Sequence, residues 1–143
     1  MNTKFLKALF VILFFITTNA KSEVIKDIVI DGNKRVGDET IKVYGGIQIN
    51  QDYSEDDINK ILKNLYSTNF FKEINIEIKN NTLFVELTEY PIINQLIISG
   101  EKSNKFKDEI KKIINLKEKD SFIENFLSDD INTIKNLYSS LGY

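Results

Sequence analysis

The sequence predicts an α+β protein: one βααββ module, two helices on a three-stranded mixed sheet, followed by an incomplete second copy. Three observations carry that expectation. Ile28-Val29-Ile30-Asp31-Gly32-Asn33-Lys34 returns 68 residues later as Leu96-Ile97-Ile98-Ser99-Gly100-Glu101-Lys102, and Lys63-Asn64-Leu65-Tyr66-Ser67 returns unchanged as Lys135-Asn136-Leu137-Tyr138-Ser139. Between these blocks, a helix-spaced apolar stripe runs straight into two segments of alternating apolar and polar residues. The second copy then breaks off at Leu141-Gly142-Tyr143, where the first enters its hairpin at Phe70-Phe71. A strand with two helices cannot cover its own apolar face, so the sequence is expected to be a fragment of a longer product.

The first 20 residues have the layout of a signal peptide. Lys4 and Lys7 precede the apolar run Ala8 to Ile16, and Thr18 and Ala20 supply the small side chains of a cleavage site. A spanning helix needs about 20 apolar residues, which this run does not reach. Cleavage is therefore expected between Ala20 and Lys21, and export with it.

Residues 24–90 form the complete module. Ile28 and Ile30 alternate with Val29 and Asp31, and the strand stops at the Asp31-Gly32-Asn33 turn. A short helix is expected over Asp38 to Tyr44, with Ile41 and Tyr44 on one face, and a loop from Gly45-Gly46 to Tyr53. Ser54 followed by Glu55, Asp56 and Asp57 has the chemistry of a helix start: a hydroxyl to accept from an orphan amide, and carboxylates at the positive dipole end. Ile58, Ile61, Leu62, Leu65 and Tyr66 then make one stripe. The stripe needs a sheet to cover, and a hairpin supplies it. A two-residue Asn80-Asn81 turn pairs Ile78 with Leu83, Ile76 with Val85 and Ile74 with Leu87, so each inward residue meets an inward partner. Glu73, Asn75, Glu77, Phe84, Glu86 and Thr88 face the other way.

Residues 91–143 form the incomplete copy, joined through Glu89-Tyr90-Pro91. A strand is expected over Ile92 to Ser99, and a helix with the stripe Phe106, Ile110, Ile113 and Ile114. A second helix is expected from about Ser128, burying Ile131, Ile134, Leu137, Tyr138 and Leu141.

Chemistry is limited by residue type. With no Cys and no His in the chain, thiol nucleophiles, histidine bases, disulfides and the usual zinc sites are excluded. There are 19 basic and 21 acidic residues, and removal of Lys4 and Lys7 with the leader makes the balance more acidic, which argues against a nucleic-acid partner. The clusters Glu55-Asp56-Asp57 and Asp129-Asp130 are assigned to helix N-termini, not to catalysis or a metal. Gly32 and Gly100 occupy equivalent turns, with no glycine series for a phosphate loop. Lys105, Lys107, Lys111 and Lys112 make a solvated face interrupted by Asp108 and Glu109. No catalytic residue, cofactor site or metal site is expected. What remains is the exposed strand Phe71 to Lys79. With its hairpin partner central, its outer edge can pair with an extended segment of another chain, which makes Phe71, Lys72, Ile74, Ile76 and Ile78 the candidate protein-binding residues.

The strand-helix-helix-hairpin order, the Ile-Val-Ile-Asp-Gly-Asn-Lys-Arg-Val start, the Leu-Tyr-Ser-Thr-Asn-Phe-Phe passage and the Glu-Tyr-Pro junction resemble POTRA (polypeptide-transport-associated) domains. Tandem copies behind a signal peptide are similar to the N-terminus of outer membrane assembly factors of the BamA family. The resemblance implies a place on the periplasmic side of the outer membrane, and membrane association through a C-terminal β-barrel that this chain lacks. It also implies two kinds of partner, unfolded outer membrane protein precursors and accessory assembly lipoproteins. Two-partner secretion transporters share the domain, and division proteins of the FtsQ type carry a similar one behind an uncleaved anchor. The short leader and the immediate second repeat argue against the FtsQ type.

Overall fold

The structure is a computed structural model that describes residues 24–142. The expected signal peptide over 1–20 and its cleavage site at Ala20 and Lys21 lie outside the described residues. The elements are β1 (Asp27–Asp31), α1 (Asp38–Gly45), α2 (Glu55–Ser67), β2 (Phe71–Lys79), β3 (Thr82–Glu89), α3 (Asn104–Ile113) and α4 (Glu124–Ser140).

The first five elements make the expected module. The sheet order is β1-β3-β2, with β1 parallel and β2 antiparallel to β3. The hairpin register is the one the alternation requires, pairing Ile78 with Leu83, Ile76 with Val85 and Ile74 with Leu87. Its two turn residues take left-handed φ values, 51° at Asn80 and 61° at Asn81, the pattern that suits the right-handed twist of a tight hairpin. Helices α1 and α2 cover the face carrying Leu83, Val85 and Leu87, which are buried against Ile41, Ile61 and Leu65. Tyr44, expected beside Ile41 on the covered face, is instead half-exposed and meets Phe70 edge-on with ring centroids 6.1 Å apart.

Helix α2 starts where its cap chemistry places it. Ser54 is extended, its hydroxyl accepts from the Asp57 amide, and Asp57 reaches back to the Ser54 amide, a complete capping box. The Ser54 hydroxyl, the Lys60 ammonium and the Ser54 amide all favour the ionised carboxylate and hold Asp57 down to about 2.

The second copy repeats the first in its backbone contacts. The Ile25 amide donates to the Gln51 carbonyl at 2.7 Å and the Asn50 amide to the Ile25 carbonyl at 2.7 Å; Ile93 makes the same pair with Asp120 and Lys119, at 2.9 and 2.7 Å. Asn50 and Lys119 are both left-handed, at φ 61° and 71°. Three expectations for this copy fail. Ile92 to Ser99 is not a strand; it forms a single antiparallel bridge, Ile92 with Ser121. A strand exists through its ladder, and among the described residues no counterpart of β3 is present to pair with it. Helix α4 begins at Glu124 and not near Ser128, after Ile123, which gives no side-chain cap. Asp129 and Asp130 therefore lie inside the helix, away from its terminus. Asp130 is buried and accepts from the Asn115 amide at 2.6 Å and the Leu116 amide at 2.9 Å, two loop donors just beyond the end of α3. Finally, Ile113, Ile131 and Leu141 are exposed, whereas Ile110 and Ile114 are buried as expected.

Gly32 sits at φ 86°, and a Cβ there would stand 2.0 Å from the Leu87 carbonyl oxygen of β3. Gly100 has the same φ of 86° with open space around it. Gly32→Ala is expected to lower stability by at least ~2 kcal/mol in urea unfolding followed by circular dichroism, because strain and collision add. Gly100→Ala should cost only the ~1 kcal/mol of a left-handed alanine.

Candidate protein-binding edge

Strand β2 is one border of the sheet, and its nine residues make it longer than β1, the five-residue strand at the other border. Antiparallel ladders alternate hydrogen-bonded and non-hydrogen-bonded pairs. The two-residue turn makes Lys79 and Thr82 the first hydrogen-bonded pair, so Glu77 and Asn75 also bond to β3. Ile74, Ile76 and Ile78 then point their amides and carbonyls away from β3, while their side chains are half-buried toward the helices. The residues expected to bind are thus three that combine an outward backbone with an inward apolar side chain.

The other two differ. Phe71 is buried in the core and meets Phe70 edge-on at 6.2 Å, so it anchors the strand and presents no side chain to a partner. Lys72 is exposed at an irregularity, where the register slips between Phe71 and Glu73. Such a bulge bends an edge and limits how far a partner strand can run along it.

Beside the edge lies a groove of about 330 Å³, walled by Tyr53, Glu55, Ile58 and Asn59 on one side and by Ile76 and Ile78 on the other. Its far wall is held in place, since the Tyr53 hydroxyl accepts from the Gln48 amide at 2.7 Å and donates to the Gln48 carbonyl at 2.9 Å. On the opposite face of the sheet, Glu77 pairs with Lys79 at 2.7 Å, and Asn75 donates to Glu86 at 3.3 Å. An apolar groove on one side and polar groups on the other suit an amphipathic extended segment. Among the described residues no cluster of metal-ligating side chains occurs, and no helix is long and apolar enough to cross a membrane.

One interaction that positions the sheet carries no motif in the sequence. Glu89, the last residue of β3, accepts from three successive amides: Lys34 at 2.9 Å, Arg35 at 3.0 Å and Val36 at 3.0 Å. The Arg35 guanidinium donates to its second oxygen at 3.0 Å and to the Tyr90 carbonyl at 3.0 Å, clasping the junction to the next copy. The only available signal was the Gly32 turn, which leaves a run of amides in need of an acceptor. Burial by itself raises the Glu89 carboxyl, but the amides of Val36, Lys34 and Arg35 with the guanidinium outweigh it and bring the group to about 2.

Two successive stretches, 23–89 and 91–143, match the POTRA family, described as surface antigen variable number repeat. The chain belongs to the POTRA family. That family is non-enzymatic. The POTRA chain is 27% identical over 126 residues to an outer membrane protein assembly factor BamA of Neorickettsia risticii, an alignment covering 88% of this chain and 17% of the relative. It is 32% identical over 88 residues to the BamA of Neisseria meningitidis serogroup B, covering 62% of this chain and 11% of the relative. The chain thus spans less than a quarter of the length of these relatives. Its fold is similar to the N-terminal domain of Omp85 from the thermophilic cyanobacterium Thermosynechococcus elongatus, with a TM-score of 0.56 at 12% identity over 82% of this chain and 51% of that one. At that identity the likeness is one of fold.

The latch titrates in a defined window. Glu89 is ordinarily at 4.5 and is held at about 2 in the folded protein, so its contribution is complete above pH 4.5 and is lost as pH falls toward 2. Glu89→Gln turns one acceptor oxygen into a donor facing amide donors. It should cost about 2 kcal/mol at pH 7 and flatten the fall in unfolding free energy between pH 4.5 and 2.

Proposed function

We propose that this chain is the N-terminal POTRA region of an outer membrane β-barrel assembly factor, working on the periplasmic side of the outer membrane. It binds unfolded outer membrane protein precursors non-covalently, by adding an extended precursor segment to β2, and provides docking surface for accessory assembly lipoproteins. The observation that carries this reading is the pairing of an open β2 edge at Ile76 and Ile78 with the apolar groove beside them. An added strand gains main-chain hydrogen bonds from the edge and burial for alternate side chains in the groove. Residues 24–90 are the complete domain in this reading, and residues 91–143 begin a second one. The relatives named as assembly factors favour it over a two-partner secretion transporter or an FtsQ-type division protein.

The partial second domain supports the same reading. Ile98, Ile110, Ile114, Leu127, Ile134 and Tyr138 border an open apolar groove of about 320 Å³, on the face that the sheet covers in the first domain. A hairpin equivalent to β2 and β3 would close it, and so give Ile92 to Ser99 the ladder it lacks.

Proline at position 76 tests the edge. The Ile76 amide faces away from β3, so Ile76→Pro removes an edge donor and spares the ladder to β3. Photocrosslinking of the chain to a ten-residue peptide patterned as a transmembrane β-strand should fall at least about fivefold, the loss of one to two net hydrogen bonds. Undiminished crosslinking by a variant with native circular dichroism would rule out strand addition at β2.

A further inference from the structure

The β2 edge is not open along its whole length. The Ile74 amide, the first of the three that point away from β3, donates to the hydroxyl oxygen of Tyr66 at 3.1 Å. Tyr66 stands in the last turn of α2 and is half-exposed, so its ring lies over the border of the sheet and not in the core. An added strand needs its own carbonyl at that amide, and the phenol occupies the place. Farther along, Ile76 and Ile78 face the groove bounded by Tyr53 and Ile58.

We propose that Tyr66 is a positioning residue that sets the register of an added strand: pairing starts at Ile76 and Ile78, and extends to Ile74 only when the tyrosine hydroxyl withdraws. This rests on the strand-addition reading above and defines its footprint. The partner is a short extended peptide segment, apolar at alternate positions, that needs only the Ile76–Ile78 stretch for first contact. With the Lys72 bulge beyond Ile74, the tyrosine keeps the edge too short for nonspecific sheet growth. The hydroxyl is easily displaced, because a partner's carbonyl replaces it at the same amide and the freed phenol regains water. In the second copy the equivalent Tyr138 donates to the Glu101 carboxylate at 3.0 Å, so an edge contact is not fixed by the Lys-Asn-Leu-Tyr-Ser sequence alone.

The test is amide-resolved NMR on the whole chain, with Tyr66→Phe compared with the parent and with Tyr44→Phe, which loses a hydroxyl on α1 instead. The probe is a synthetic ten-residue peptide of alternating valine and threonine. In the free proteins the Ile74 amide should exchange at least several-fold faster in Tyr66→Phe only, with the Ile76 amide unchanged. On adding peptide, protection should appear at Ile76 and Ile78 in the parent and should reach Ile74 in Tyr66→Phe. Binding to that variant should be roughly three- to tenfold tighter, the worth of one net hydrogen bond. Unchanged Ile74 exchange, peptide protection at Ile74 in the parent with no gain in affinity, or an equal gain in Tyr44→Phe would each overturn the proposal. A peptide that binds none of the three proteins, while Ile74 exchange still accelerates in Tyr66→Phe, would defeat strand addition itself and remove the register role with it.

Discussion

Leu83, Val85 and Leu87 lie on the strand that has a neighbour on each side, and the sealing of these three side chains under α1 and α2 gives the other elements their places. Burying three aliphatic side chains is worth on the order of 5 kcal/mol, comparable to the net stability of a small domain. That burial is available only if β3 is flanked, since its backbone groups must also be satisfied. β1 and β2 therefore form because β3 needs them, and each is left with one outer border. The binding edge is thus a by-product of how the core is closed. The segment 92–99 carries much of the same sequence pattern as β1 and stays irregular for want of such a neighbour.

Features set by local chemistry were legible in the sequence. The hairpin register follows from the isoleucine alternation and the two asparagines, because a slip of one residue would turn Ile74, Ile76 and Ile78 to the polar face. The start of α2 follows from Ser54 and Asp57, which need only each other. What stayed hidden depended on distant backbone. Nothing near Glu89 announces that Lys34, Arg35 and Val36 present their amides to it, and nothing in Tyr66 announces the Ile74 amide. The edge strand could be named, but not the portion of it that is closed.

The two copies show how one motif can be put to two uses. Counted back from the shared Lys-Asn-Leu-Tyr-Ser block, Asp57 matches Asp129, and Asp130 stands one place further along the helix. In the first copy the helix begins at Glu55, and Asp57 closes a capping box. In the second the helix begins upstream at Glu124, so the acidic pair is interior, and Asp130 holds the loop after α3 instead. Each carboxylate goes to the nearest set of orphan amides, so the position of the helix start decides the role of the aspartate.

The parallel pairing of β1 with β3 joins Asp27 to Thr82, and the Asn81 carbonyl receives the Lys26 amide at 2.7 Å. The opening and closing strands of the domain are thus stitched together across its entire length. As the chain grows from its amino end, β1 has no mate until the hairpin arrives, and loop closure over that separation is slow compared with formation of the helices. The sheet is therefore completed last, when the hairpin arrives. A nascent segment that stops short of Thr82 has two helices and no sheet, and offers a partner no edge at all.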